Sequence, residues 1–497
     1  MYQKRQARRA GPRRRAGEVE TMKYSLSGIL VLIVLTGFGG FGSTARARTM
    51  AASPDSVLAL IGTVQSDTLF VERDKVIAAA LVRNEMLAAS SAMSDAAAAD
   101  AFGAWRSFTP QIQLSSFFLR SDDALSSFGF KLQNRGITPM DFNPELLNNP
   151  GETNNFVSRL QLLQPIFNGG MGIYGKQAAN AASRAAALNH RRATETVAFH
   201  AVQAWEGLAL AHSYAQVMEI AVASAAGHVQ QARSLVAAEM ATEADLLQAQ
   251  VYLSGLQQQL IEVHNMEAVA GENIKLLTAT VTPLTLAAAA PGADDEMPLA
   301  PDTDAVLQRS DLLASQEQAT AAYKMVGVAQ GAILPHINLS IQRDFYDHDN
   351  LFGSNAKSWS LGVYATMGFG MGHWGEIKKA RAQSRAAGHM VEFETRQAQV
   401  EATAAWLAAE AAWEKVTVAR GAVGAAREGL RIVTNQYGEG LASMVNLLDT
   451  QAAATMAEGN LVQALHDYRV GLANLEYTGA LTAAENPGNE EGNDTGS

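Results

Sequence analysis

The sequence predicts an α+β membrane protein, a trimeric, twelve-stranded antiparallel β-barrel continued by a long α-helical coiled-coil barrel, with four strands from each chain. Three observations lead to this prediction. Short segments of alternating polarity have the length of membrane-spanning strands, and long Ala-rich segments with helical spacing flank them. An internal duplication repeats the whole arrangement and gives four strands per chain, too few to close a barrel.

The N-terminus has the pattern of a secretory signal peptide. A basic start precedes an apolar run at 26–38, and a small-x-small cleavage motif follows at 45–47. The run is about a dozen residues long, well short of the roughly 20 that a membrane-spanning helix needs. We expect residues 1–47 to be removed, the alternative being a retained anchor helix. Met22 is a second possible start, which would leave 1–21 upstream of the translated chain.

Composition excludes several classes of protein. The chain has no cysteine, which removes the usual N-terminal lipid anchor. It holds 38 basic and 49 acidic residues; the signal peptide accounts for nine and two of these, so 29 and 47 remain and the net charge is about −18. Such a charge argues against nucleic acid as a partner. No apolar run of about 18 residues follows the signal peptide, so any membrane segment has to be a strand.

The remaining chain is internally duplicated. With a shift of 225 residues, 80–115 aligns with 305–340 without a gap, and Pro110 matches Pro335. Further along, the shift becomes 202 and then 201, so the first repeat has an exposed loop 23 residues longer than the second. We predict a first repeat at 48–282, a Pro- and Ala-rich linker at 283–304, a second repeat at 305–480 and an acidic disordered tail at 481–497.

Each repeat is predicted to contain two strands. They lie at 110–119 and 156–168, separated by the polar loop 120–155, and at 335–345 and 358–369. Their lengths match the 9 to 11 residues of a tilted membrane strand. Four strands cannot close a barrel, and an open edge in lipid leaves backbone groups unsatisfied. Two chains would give a filled barrel of eight strands, whereas three would give twelve strands and a pore.

The helical segments are long enough to form a tunnel. We predict helices at 72–107, 173–238 and 243–279, and a second hairpin turn near 438–446. An apolar seam with spacings of three and four residues runs through 253–277 and indicates coiled-coil packing, although a soluble helical bundle has the same seam. The longest helix would span roughly 100 Å and the two shorter ones roughly 55 Å each, so two short helices end to end match one long helix.

Three motifs carry a family resemblance. They are 164–170 at a strand-to-helix junction, 309–312 at the start of the second repeat, and 436–443 with 447–449 at the second hairpin turn. Because the motifs occur in this order and are duplicated, the chain resembles the TolC-like outer-membrane efflux protein family over nearly its whole length. Members of this family are also called outer membrane factors. It departs from that pattern at Ser310, where the family usually has proline.

Two further departures separate the repeats from each other. Met367 stands where the first repeat has Pro165, and Glu239 stands where the second has Gly440. Because glycine adopts positive φ angles without strain, the second departure predicts that the two hairpin tips differ in conformation.

The resemblance implies a passive exit duct in the outer membrane of a Gram-negative bacterium, with its helical part in the periplasm. It implies a homotrimer in contact with outer-membrane lipid, serving a tripartite efflux (for example multidrug efflux) or type I secretion system. The partners would be a periplasmic adaptor, or membrane-fusion protein, and an inner-membrane RND or ABC transporter. It implies no cofactor and no enzymatic activity, and leaves the transported substrate open. The alternatives are a helical-hairpin adaptor without a pore and a single-chain nutrient porin.

The resemblance also implies three groups of site residues. The periplasmic gate would contain Asp449, Asn446, Tyr437 and Asp245. The adaptor would dock at the tips on Glu239, Met240, Ala241, Thr242, Gly438, Gly440, Leu441 and Ser443. The barrel-to-tunnel junctions would contain Pro165, Phe167, Gly169, Gly170, Phe369, Gly370 and Gly372. The alternative for the gate residues is a solvated helix end or, for Asp245, an N-terminal cap.

Two segments are similar to phosphate-binding loops. Residues 170–177 fit a Walker A loop until Gln177, where Ser or Thr should hold magnesium, and 370–375 fit GxGxxG. Both occupy the same place in the two repeats, and neither is followed by a second parallel strand, so we interpret them as chain crossovers.

The remaining polar residues give no metal or catalytic motif. The histidines lack metal-ligand spacing, and no Ser/His/Asp order points to a nucleophile. Asp344, Asp347, His348 and Asp349 cluster in a predicted outer loop, where a divalent cation could bind, although a solvated loop is the better explanation. We therefore predict no metal site.

Overall fold

The computed structural model describes residues 62–65, 68–288, 297, 300 and 303–479. The predicted signal peptide at 1–47, the predicted tail at 481–497 and part of the predicted linker at 283–304 lie outside the described residues. The strands are β1 (Gly62–Gln65), β2 (Thr68–Val71), β3 (Gln111–Ser121), β4 (Thr153–Asn168), β5 (Thr285–Ala288), β6 (His336–Asp347) and β7 (Ala356–Thr366).

The helices alternate with these strands and differ widely in length. They are α1 (Arg73–Arg83), α2 (Glu85–Gly103), α3 (Ala124–Gln133), α4 (Pro144–Asn148), α5 (Met171–Ala237), α6 (Glu243–Leu277), α7 (Thr303–Val306), α8 (Ser310–Gly331), α9 (Met371–Gly438) and α10 (Met444–Tyr477). Short 3₁₀ turns occupy Ala104–Ser107 and Pro139–Phe142.

Four strands form one antiparallel sheet in the order β3-β4-β6-β7. The sheet is continuous between the predicted repeats, because β4 of the first pairs with β6 of the second. All four strands begin and end within three residues of the predicted positions; β4, for example, begins at Thr153 instead of 156. The pairing of β4 shifts between Pro165 and Phe167, since proline has no N–H to donate to the ladder.

The long helices α5 and α9, of 67 and 68 residues, run away from this sheet. Each turns back at its far end into a shorter helix, α6 or α10. Helix α5 packs against α6 and α10, and α10 packs against α9, so their lateral order is α6, α5, α10, α9. Nearer the sheet the order is α2, α5, α8, α9. Alanines such as Ala221, Ala225 and Ala409 fill these contacts and allow the helices to approach closely.

A second, smaller sheet was not predicted. Strands β1, β2 and β5 pair in that order, and β2 runs parallel to β5. Leu69, Val71 and Leu286 from these strands are buried with Trp205, whose indole N–H donates to the Val71 carbonyl at 3.0 Å. The predicted linker 283–304 therefore contains a strand at Thr285–Ala288, of which Leu286, Ala287 and Ala288 are buried.

The predicted helix 72–107 is broken at Asn84. The Asn84 side chain accepts hydrogen bonds from the backbone N–H groups of Met86 and Leu87, at 3.0 and 3.3 Å, and so caps α2. The extended backbone that this cap requires cannot continue α1. Among the described residues no single helix is long and apolar enough to cross a membrane. The helices 73–83 and 85–107, which meet at a bend of 43°, have together the length and apolar composition of a membrane-spanning segment.

The predicted loop 120–155 also contains more structure than its polar sequence suggests. It holds helices α3 and α4 with a 3₁₀ turn between them. The side chain of Asp123 accepts the Ser126 N–H and caps α3, and Lys131 pairs with Asp141 at 2.7 Å. The hydrogen bond from Lys131, with those from the hydroxyl and N–H of Thr138, lowers the pKa of Asp141 to about 2. This loop is a small folded element.

Candidate conduction site

One face of the four-stranded sheet is polar. The register places Ser115, Arg159, Asp344 and Ser358 in one row across the strands. Arg159 binds the Asp344 carboxylate through two nitrogens, at 2.9 and 3.4 Å. The Tyr346 hydroxyl donates to the same carboxylate at 3.2 Å. Charged and amide side chains on this face hold one another across the strands, as expected for a surface that faces water.

The opposite face is apolar and uncovered. One row contains Leu114, Leu160, Arg343 and Trp359, and Trp359 is 71% exposed. The next row toward α5 and α9 contains the side chains of Ile112, Leu162, Ile341 and Leu361. Large apolar side chains alternating with polar ones on the other face are the pattern of a strand that separates lipid from water.

The folded outer loop lies on the polar face. Asn155 of β4 shares that face with Val157 and Arg159 because successive residues of a strand alternate, and it is 0% exposed. Its side chain donates to the side-chain oxygen Oε1 of Gln133 and accepts from the side-chain amide of Asn134, both at 2.9 Å. The C-terminal end of α3 is thereby fixed to the polar side of the sheet.

The junction between β4 and α5 requires glycine. Gly169 and Gly170 have φ angles of +64° and +80°, and a Cβ on Gly169 would lie 2.2 Å from the Gly331 carbonyl oxygen. Asn168 then accepts the Gly172 N–H at 3.1 Å and caps the helix. The side chain of Lys176 lies 3.0 Å from the centroid of the Trp105 ring. The lysine of the Walker-like segment is therefore engaged by an aromatic ring.

The second junction is built differently. Gly370 has a φ of 179°, an extended conformation open to any residue, and Gly372 already belongs to α9. Pro165 of the first junction marks a break in strand pairing, whereas β7 ends at Thr366 before the equivalent Met367. Phe167 and Phe369 both expose their rings.

The two hairpin tips have the same backbone conformation. Glu239 and Gly440 both adopt left-handed φ angles, +59° and +73°. The N–H of the next residue donates to the carbonyl five residues back in each tip, Met240 to Leu235 and Leu441 to Gln436, both at 2.8 Å. The prediction that the tips differ in conformation is wrong, because Glu239 accepts the strained angle that glycine adopts freely.

The tips also share their capping and their exposure. Thr242 and Ser443 are N-caps of α6 and α10, each accepting the N–H three residues later. Met240 and Leu441, next to the left-handed residues, are 66% and 75% exposed. Ala241 lies beside them, and Gly438 is the last residue of α9.

Two of the predicted gate residues lie close together. Asp245 forms a capping box with Thr242, accepting its N–H at 3.0 Å and its hydroxyl at 2.8 Å. Tyr437 is 4% exposed and packs between the two hairpins with Ala249 and Leu447. Its hydroxyl has no hydrogen-bond partner among the described residues. Burial raises the pKa of Tyr437, and the nearby charge of Asp245 raises it further.

The other two predicted gate residues stand apart from this pair. Asn446 and Asp449 are exposed and lie one turn apart on α10. Asp449 lies near Tyr252 of α6, where burial raises the pKa of the tyrosine hydroxyl and the Asp449 charge adds to the effect. Asp449 thus presents a free carboxylate on the surface of the second hairpin.

Comparisons with known proteins agree with this geometry. The sequence model of the outer membrane efflux protein family matches residues 303–478. The outer membrane efflux protein BepC of Brucella suis biovar 1 (strain 1330) is 26% identical over 335 residues, which cover 65% of this chain and 72% of BepC. By these two matches the chain is similar to outer-membrane efflux proteins.

Solved outer-membrane channels share its fold. OprN superposes with a TM-score of 0.70 at 18% identity, covering 82% of this chain and 89% of OprN. CusC superposes at 0.71 and 16% identity, covering 85% and 96%. CmeC of Campylobacter jejuni superposes at 0.72 and 19% identity, covering 82% and 85%. These findings place the chain in the outer membrane. A helical-hairpin adaptor without a pore finds no support.

The motif at 309–312 fixes the repeats of this efflux protein to each other. Arg309 is buried and pairs with Asp311 at 2.7 Å and with Glu401 of α9 at 3.0 Å. Burial alone would raise the pKa of Asp311, but the hydrogen bonds from Arg309 and the charges of Arg192 and Arg309 lower it. The Ser310 hydroxyl, at the position of the usual proline, donates to Glu195 of α5 at 2.7 Å.

Sequence reasoning missed a buried polar cluster between the hairpins. His228 of α5 lies 3.3 Å from the amide oxygen of Gln451 on α10, and the Ser224 hydroxyl donates to the same oxygen at 2.6 Å. Burial lowers the pKa of His228 despite the contact with Gln451. The signal for it in the sequence is the alignment of Gln451 with Gln250 between the repeats.

The four acidic and histidine residues of the second outer loop do not form one cluster. Asp344 binds Arg159 on the polar face, whereas Asp347, His348 and Asp349 group at the end of β6. One carboxylate oxygen of Asp347 accepts the N–H groups of Asp349 and Asn350, both at 2.9 Å. This carboxylate stabilises the turn, and the predicted association with Asp344 is wrong.

Proposed function

We propose that three copies of this outer-membrane efflux channel close into one duct that carries substrate passively from an inner-membrane transporter and a periplasmic adaptor to the exterior. The chain acts as a conduit and catalyses no reaction. The observation that supports this most strongly is that sheet and helices leave matching open edges. Strands β3 and β7 border the sheet, and within the described residues neither has a partner on its outer side.

The helical layer is open on the same two sides. Helices α2 and α6 of the first repeat form one border, and α9 of the second repeat forms the other. Rotational symmetry would therefore pair β7 with β3 of the next copy, and α9 with its α2 and α6, in a single operation. Three copies give twelve strands, the number that leaves an open pore.

The border helices expose apolar side chains that a neighbouring copy would cover. Val251 and Ile261 are exposed on α6, as are Phe393 and Val418 on α9. Central α5 instead buries Val202, Leu208 and Met218 among its neighbours. Uncovered apolar surface on both borders is the usual mark of a protein–protein interface.

The tips carry the proposed contact with the adaptor. Met240 and Leu441 are equivalent exposed apolar residues beside identical left-handed turns, so a trimer would present six similar contacts in a ring. Asp449 of each copy would contribute one carboxylate near the entrance, and Asn446 would leave the second acidic position of the family uncharged. Tyr437 and Asp245 would hold the two hairpins of one chain together.

Planar bilayers and cross-linking test this proposal. The purified mature protein should cross-link as a trimer and should give discrete conductance steps in a bilayer. Monomers alone on cross-linking, or the absence of conductance, would contradict the trimeric duct. Recovery of the mature protein in a soluble periplasmic extract would instead support an adaptor.

A further inference from the structure

A cation lies on the lipid-facing side of the sheet. Arg343 of β6 is directly opposite Leu160 of β4 and Trp359 of β7, so it belongs to the apolar face. Its neighbour Asp344 points to the other face and binds Arg159. Within the part of the chain that the structure describes, Arg343 makes no hydrogen bond or ion pair. Its guanidinium carbon lies 5.9 Å from the centroid of the Phe345 ring.

This contact gives the direction of the Arg343 side chain. Phe345 is two residues nearer the outer end of β6 and lies on the same face, because side chains alternate along a strand. The guanidinium is therefore directed toward the outer rim of the sheet. Long basic side chains in membranes extend in this way toward the polar headgroups while their methylene groups remain in the apolar layer.

A second cation lies at the level that Arg343 reaches. Lys357 of β7 is directly opposite Phe345, so it shares the lipid-facing side and borders the same ring. Lys357 is exposed, and among the described residues it forms no ion pair. The nearby Asp347 of this face is 3% exposed and accepts backbone N–H groups of its own turn. Two uncompensated cations therefore face the outer leaflet from adjacent strands.

The side chains of Arg343 and Lys357 are chemically suited to bind a phosphate group. Arginine presents a planar fork of donors that fits phosphate oxygens, and lysine adds a point charge. The exposed Trp359 ring beside Arg343 is of the type that occupies the boundary between hydrocarbon and headgroups. The rest of the protein is acidic, with a net charge of −11 for the full chain, so positive charge in this place is unlike the general surface.

We propose that Arg343 and Lys357 bind the phosphate group of an outer-leaflet lipid headgroup. The inference rests on the proposed function in one respect, that the sheet spans the outer membrane. A soluble phosphate has the same charge and shape, but the apolar side chains around the pair favour a phosphate attached to lipid chains. Three copies in a trimer would hold three lipids around the barrel.

Lipid titration of the purified trimer tests the proposal. Native mass spectrometry in detergent would measure the binding of bisphosphorylated lipid A to the wild type, R343Q, K357Q and the double variant. We expect about fivefold weaker binding for each single variant and about thirtyfold weaker binding for the double variant. K324Q, which removes one positive charge from tunnel helix α8, is the matched control and should bind like the wild type.

Dephosphorylated lipid A and inorganic phosphate separate the two sources of the phosphate group. Dephosphorylated lipid should bind the wild type as weakly as the phosphorylated lipid binds the double variant. Equal affinity of wild type and double variant would overturn the site. Displacement of the lipid by inorganic phosphate at a comparable concentration would overturn its assignment to a lipid. Bilayer conductance of the same samples shows independently whether the proposed duct forms, so either failure can be recognised.

Discussion

At the tip of the first hairpin, Glu239 adopts a left-handed conformation that costs a residue with a Cβ about 1 kcal/mol relative to glycine. E239G should therefore raise the unfolding free energy by roughly that amount. Thermal unfolding followed by circular dichroism measures the change. E439G, at the equivalent of Ala238 with a φ of −91°, is the control and should give no gain. A lower stability for E239G would show that the Glu239 side chain makes a stabilising contact.

Asp449 should determine the ion preference of the duct. Its carboxylate is exposed on α10, and a trimer would bring three such charges to the entrance. We expect D449N to reduce both the preference for cations and the block by multivalent cations in planar bilayers. D74N removes an exposed charge from α1, far along the chain from the tips, and should leave both unchanged. If the two variants behave alike, Asp449 does not line the entrance.

Because of His228, the stability of the folded protein should decrease as the pH falls below the usual pKa of a histidine. Burial lowers the pKa of His228 in the folded protein, so the unfolded chain takes up the proton first as pH falls. The contribution of His228 is present above a pH of about 6.5 and is lost as pH falls toward the folded pKa. The melting temperature of the wild type should therefore fall more between about pH 7.5 and 5 than that of H228Q. Parallel pH curves for the two proteins would refute this.

The individual elements show where sequence reasoning succeeds. Strands β3, β4, β6 and β7 could be located because each alternates apolar and polar side chains along its own length. Strand β5 could not be located from the sequence, because four residues are too few to show an alternating pattern. Its partner β2 is also distant in the chain, since the paired residues Thr68 and Thr285 are 217 positions apart. Only the folded chain shows that Leu286 is buried, since locally the segment has the composition of a linker.

The break between α1 and α2 depends on one side chain. Asn84 caps α2, and its amide also donates to the Leu277 carbonyl at the end of α6, at 3.3 Å. N84A should cost about 1–2 kcal/mol of unfolding free energy, because both functions are lost. N84S keeps an oxygen that can cap α2 and should lose less. Equal losses for the two variants in chemical denaturation would show that packing, and not the cap, determines the effect.

At the scale of the whole molecule, the duplication explains why one chain contains both a four-stranded sheet and two long helical hairpins. Each repeat supplies two strands, one long helix and a hairpin tip, and the structure places the two tips in the same conformation. The repeats differ at the sheet end, where the first has a longer outer loop and a glycine-dependent junction. The need for several copies could be predicted from the number of strands, but the identity of the free edges β3 and β7 could not, because it depends on the strand order of the folded chain.

Native mass spectrometry of the purified mature protein tests the central claim most directly. The open edges β3 and β7, together with the uncovered helices α6 and α9, predict a single species with the mass of three chains. A monomer or a dimer as the only folded species would contradict the account, because neither can close a twelve-stranded barrel.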